Sequence, residues 1–252
     1  MGLRYLSPLK SGSSGGFVDL KSIQVDGVND YAAPASPTSF DFAQGDPFTL
    51  MGWFYITSLA ANPNLFGNAA NSAPYQGYTL FIRPNGSVEW NWFKTYPTNG
   101  LSIRSAAGAI ASNSWAHMAV TSQGGTANTT VVYVNGVAVI DIANSIGTVF
   151  KNNLSGTLTG NGVPFQLGIA QGGAFPGYAD DFYISTTSVL TPSAIAAVYN
   201  LGVPKDERGT SGLTNGWWMG DAPGDGGTLI TDVIGAIDMT LFNGASIVSA
   251  HP

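Results

Sequence analysis

Short runs of β-branched and aromatic residues, each closed by turn-forming residues, recur along most of this chain and restrict what it can fold into. Residues 21–27 alternate Ile23 and Val25 with polar neighbours, the period of a half-buried strand. Residues 48–56, FTLMGWFYI, form a dense apolar run such as a strand covered on both faces requires. TLFIRPNGSVEWNWF bends at Pro84-Asn85-Gly86, and TVVYVNGVAVI bends at Asn135-Gly136. An Asn-Gly pair accepts the positive φ of a two-residue turn, so the second segment predicts a tight hairpin. Further strands are predicted over 115–121, 164–170 and 178–185, and two more close the chain near 216–220 and 239–249. One short helix is expected near 191–200, with Thr191 as its cap, Pro192 in its first turn and Gly202 beyond its end. Residues 202–215 read as a polar connection. Strands joined by turns, without helical crossovers, imply antiparallel pairing, and so an all-β, two-sheet jelly-roll sandwich.

Composition supports this and removes other classes. Only 10% of residues are charged, and Glu89 and Glu207 are the only glutamates, too few for the wet face of a helical bundle. The net charge is −6 and the nine Lys and Arg are scattered, so no nucleic-acid partner is expected. With no Cys there are no disulfides or thiolate ligands. No apolar run is long enough for a membrane-spanning helix. Residues 1–16 are expected to form an extended arm apart from the 17–252 domain. Arg4, Tyr5, Leu6 and Lys10 are its candidate docking residues.

Taken together, DGVNDY (26–31), FTLMGWFY (48–55), SWAHMAVT (114–121), VVYVNGVAV (131–139), FQLG (165–168), YADDFYI (178–184) and LTPSAIAAVYN (190–200) carry a resemblance. In this order they resemble the laminin-G-like branch of the concanavalin A-like lectin/glucanase jelly rolls. The tail, NGWWMGDAPGDGGTLITDVIGAIDMTLFNGAS (215–246), resembles a segment that often opens such domains, and its strands are expected to return beside the first strand. The whole arrangement is similar to proteins encoded by tailed bacteriophages. The resemblance implies a surface component of a virion, made in a host cytoplasm, with other virion proteins and further copies of itself as partners. The alternative is a carbohydrate-binding, lectin-like module, carried on a virion or secreted, with a cell-surface glycan as partner.

Catalysis is not expected. Retaining glycoside hydrolysis needs two carboxylates about 5 Å apart. Glu89 has no acidic neighbour two positions away, and adjacent Asp180 and Asp181 would point to opposite faces of a regular strand. Of the two histidines, His117 reads as a strand residue packed beside Trp115, and His251 as solvated. Two binding sites remain candidates. Asp26, Asn29 and Asp30, joined by Asp180, form a candidate Ca²⁺ set, since some members of the resembled family hold Ca²⁺ with Asp and Asn oxygens. Trp90 and Trp92 on one strand face, with Tyr75, Tyr78, Tyr96 and Phe175 in flanking segments, are candidates for contact with a sugar or a partner.

Overall fold

The computed structural model describes residues 17–36, 38–156 and 161–252, and they form two large antiparallel sheets packed face to face. The first sheet runs Val137–Asp141, Thr130–Val134, Trp115–Gln123, Pro47–Ile56, Pro176–Ser185, Ser22–Asp26 and Ser246–Val248, with Asn215–Trp217 also pairing on Pro176–Ser185. The second runs Thr148–Asn152, Asn99–Arg104, Val88–Thr95, Gly77–Ile82, Asn64–Gly67, Gln166–Leu167, Tyr31–Pro34, Met239–Phe242 and Leu229–Ile230. The tail returns as expected: Ser246–Val248 pairs with Ser22–Gln24, and Met239–Phe242 pairs with Tyr31–Pro34 in the other sheet. The Asn135-Gly136 turn has positive φ at both residues, 50° and 77°, as a two-residue hairpin requires.

Between the sheets lies an aromatic and aliphatic core. Tyr78 stacks on Trp90 with ring centres 5.4 Å apart, and Trp92 meets Phe48 edge-on at 5.5 Å. Offset and edge-on contacts suit the ring quadrupoles, adding to the stabilisation that burial gives. The centre of the first sheet's outer face is also covered. Met51, Tyr133 and Tyr183 pack under Leu190, Ile195, Val198 and Trp218. Ile195 and Val198 belong to the Pro192–Tyr199 helix, where Thr191 Oγ1 accepts the Ala194 N–H at 3.2 Å. The helix ends on Asn200, which takes the left-handed conformation, two residues before the expected Gly202.

A bulge corrects the expectation for the two adjacent aspartates. Asp181 sits at φ 41°, and the register shifts between Asp180 and Tyr183. Ala179 and Phe182 both face the inner core, so two residues lie between them where a regular strand places one. The room comes from Gly52 on the neighbouring strand, where a Cβ would stand 2.6 Å from the Phe182 ring. Both carboxylates lie near Asp19 on the outer side of the first sheet, and both are buried.

Candidate functional site

The outer face of the second sheet carries a groove of about 490 Å³, and strand alternation fills it. On Val88–Thr95, Val88, Trp90 and Trp92 enter the core, which turns Glu89, Asn91 and Phe93 outward. On Asn99–Arg104, Leu101 and Ile103 enter the core, which turns Ser102 and Arg104 outward. The register sets these side chains in rows. Phe81, Glu89, Arg104 and Thr148 form one row, and Thr79, Asn91, Ser102 and Lys151 the next. In the third row Phe93 lies against Gly100, where an added Cβ would come within 2.2 Å of the ring.

Aromatic rings stand at both ends of the groove. Tyr96, 52% exposed, meets Phe93 edge-on at 5.1 Å and Tyr75 at 6.0 Å. Phe150, 54% exposed, stands on the Thr148–Asn152 edge strand, and the Arg104 guanidinium lies 4.2 Å from its ring centre. Glu89 occupies the floor. It is buried and accepts hydrogen bonds from Arg83 Nε at 2.9 Å, from Arg83 Nη2 at 3.1 Å and from Arg104 Nε. A bidentate guanidinium fixes the carboxylate's geometry as well as balancing its charge. Asn91 Oδ1 has no hydrogen-bond partner in the protein. Asn91 and Ser102 add amide and hydroxyl groups to the aromatic walls, a combination suited to a polyhydroxylated ligand.

The family follows from the sequence itself. The pattern of the concanavalin A-like lectin/glucanases superfamily matches residues 26–196, well over half of the chain. The chain belongs to this superfamily. No curated protein matches it by sequence. Among solved structures it is similar to a candidate carbohydrate-binding protein from Bacteroides ovatus, with a TM-score of 0.61 and 18% identity. That match covers 91% of this chain and 60% of the Bacteroides protein, so the chain spans under two thirds of its length. It is similar to a heptameric pentraxin from Limulus polyphemus, with a TM-score of 0.54, 12% identity and coverage of 92% and 96%. It is also similar to the CBM40 module of a Ruminococcus gnavus sialidase, in a structure bound to α2,3-sialyllactose. There the TM-score is 0.55, the identity 16% and the coverage 73% and 100%. At these identities the likeness concerns the fold.

On this superfamily sandwich, the six aromatic candidates separate into two groups. Tyr75 and Tyr96 come together beside the groove. Tyr78, Trp90, Trp92 and Phe175 do not: all four are fully buried between the sheets and form no exposed platform. The inner face of each strand is the one that packs against the other sheet, and these four occupy it. The proposed Ca²⁺ set is not assembled either. Asp26 pairs in register with Pro176, four positions from Asp180, a separation of about 13 Å along the strand. Asp26 instead accepts N–H bonds from Val28 at 2.7 Å and Asn29 at 3.2 Å, which hold its carboxyl below the usual range. Asp30 Oδ2 accepts the Asp26 N–H at 3.2 Å, and burial raises its carboxyl. No group of three or more His, Asp or Glu among the described residues could hold a metal ion.

His117 is paired in register with Trp53 and packs against Trp53 and Tyr199, whereas Trp115 packs against Tyr55 and Tyr178. The expected Trp115 neighbour is two positions along the same strand. Cross-strand partners share a face at close range, which makes Trp53 the neighbour. The arm residues Arg4, Tyr5, Leu6 and Lys10 lie outside the described residues. Phe150, Lys151, Arg83 and Arg104 also line the groove; Phe150 and Lys151 reach it through the pairing of Thr148–Asn152 with Asn99–Arg104, which no local motif announces. The alternation of Glu89, Asn91 and Phe93 against Trp90 and Trp92 was the usable signal.

Proposed function

We propose that this chain is a carbohydrate-binding, lectin-like module that holds a saccharide in the groove of the second sheet without transforming it. The observation that carries this reading is the asymmetry of the sandwich. The centre of the first sheet's outer face is covered by a helix and by Trp218, while the second sheet presents the exposed rings of Tyr96 and Phe150 beside Asn91 and Ser102. Exposed rings can stack on the C–H faces of a sugar, and the polar groups between them can take its hydroxyls. The Bacteroides candidate and the sialidase CBM40 module, both similar in fold, support a saccharide as ligand. Hydrolysis is disfavoured by the groove's own inventory. Glu89 is the one carboxylate lining it, and two arginines hold that carboxylate.

A virion surface role would rest on the arm and tail as contact elements, and none of the similar structures named above is a virion component. The test is a glycan array followed by calorimetric titration of the best saccharide. Tyr96→Ala and Phe150→Ala should each weaken binding by about tenfold, because each removes an exposed ring worth roughly 1 kcal/mol or more. An array with no saccharide bound, together with recovery of the chain in purified particles, would move the assignment to the virion role.

A further inference from the structure

We infer that the groove selects acidic saccharides, seating a carboxylate or sulfate group between Arg104 and Lys151. This rests on the glycan-binding reading above and concerns which sugars that site takes. The chain as a whole carries a net charge of −6, yet Arg83, Arg104 and Lys151, three of its nine Lys and Arg, line this one groove. Against them stands a single carboxylate, Glu89, which leaves a local excess of two positive charges. One bidentate arginine would already satisfy Glu89, and Arg83 supplies it. Arg104 gives Glu89 only its Nε and rests its guanidinium on the Phe150 ring, a posture that holds the remaining donors in place. Lys151 has no ion-pair partner among the described residues.

The register places these two cations together. Lys151 pairs with Ser102 and Thr148 with Arg104, with a register shift between Val149 and Lys151, so Arg104 and Lys151 stand on adjacent rows of the groove. A planar guanidinium and a mobile ammonium on adjacent rows suit a group bearing two or three anionic oxygens. Crowding like charges on one face opposes folding, and a bound anion relieves it.

The test titrates the full chain with matched probes: 3′-sialyllactose against lactose, and a heparin-derived tetrasaccharide against its desulfated form. The expected result is that at least one acidic probe binds about tenfold or more tighter than its neutral partner, with an affinity that falls as ionic strength rises. Which pair shows the difference tells carboxylate from sulfate. Lys151→Gln should weaken the acidic probe by about tenfold and the neutral one by a far smaller factor. Its thermal melt should match the parent's, since Lys151 holds no ion pair. Arg104→Gln should act in the same direction, and the Lys151 variant carries the conclusion if loss of Arg104 disturbs Glu89. Equal binding of acidic and neutral members, indifferent to Lys151→Gln, overturns the charge selection and leaves glycan binding standing. An absence of binding to any saccharide, neutral or acidic, overturns both.

Discussion

His117 is fully buried with neither ring nitrogen hydrogen-bonded, and burial lowers its pKa from 6.5 to about 3. The folded state therefore holds it neutral across the range in which the unfolded chain would protonate it. Stability from this group is present above 6.5 and is lost as pH falls, by roughly 1.4 kcal/mol per unit between the two values. His117→Leu should flatten the acid limb of a plot of unfolding free energy against pH, and an unchanged limb would refute the burial argument. Asp180 and Asp181 act in the opposite sense. Burial raises both carboxyls well above 3.8, reinforced at Asp180 by its neighbour Asp181 and at Asp181 by Asp19. The folded state then binds protons that the unfolded chain has already released, so their contribution is present at acid pH and is lost as pH rises through the raised values. Asp181→Asn should accordingly be more stable than the parent near neutrality. The gain should shrink toward about pH 4, as followed by melts across a pH series.

At the scale of elements, the legible parts were those whose chemistry is local. Asn135-Gly136 supplies two positive-φ residues, and Thr191-Pro192 supplies a cap and a pre-set φ, so a hairpin and a helix followed from the residues alone. The bulge at Asp181 was not legible, because its cause lies on another strand. Gly52 is the residue that admits Phe182, and nothing within 178–185 announces it. The same division runs through the site. Alternation separates Glu89, Asn91 and Phe93 from Trp90 and Trp92 onto opposite faces, but the row from Thr79 to Lys151 depends on the register of four strands. Trp90 and Trp92 illustrate the ambiguity: one face holds both, and only the position of the second sheet decides whether that face is core or platform. Gly52→Ala tests the bulge. Its Cβ would crowd Phe182 in a closed core, and chemical denaturation should show a loss of about 1–3 kcal/mol.

For the whole molecule, the two outer faces do different work and should be separable by mutation. The centre of the first sheet is covered on both sides, so the elements over it contribute stability: Thr191→Ala removes the helix cap and should cost about 1 kcal/mol. The second sheet is covered on one side only in its central strands, and the side chains on the open side contribute recognition. Tyr96, half exposed at the groove end, contributes little to the inter-sheet core. Tyr96→Ala should therefore leave the melting temperature of the free chain within about a degree of the parent, while removing most of the upward shift that a saturating saccharide produces. Thr191→Ala should do the reverse, lowering the free-chain melt by a few degrees and keeping the ligand-induced shift. The two effects should add in the double variant, since the residues sit on opposite outer faces with the core between them. Coupling between them, read as a non-additive shift, would mean that the covered face takes part in binding and that the sandwich does not divide its labour by face.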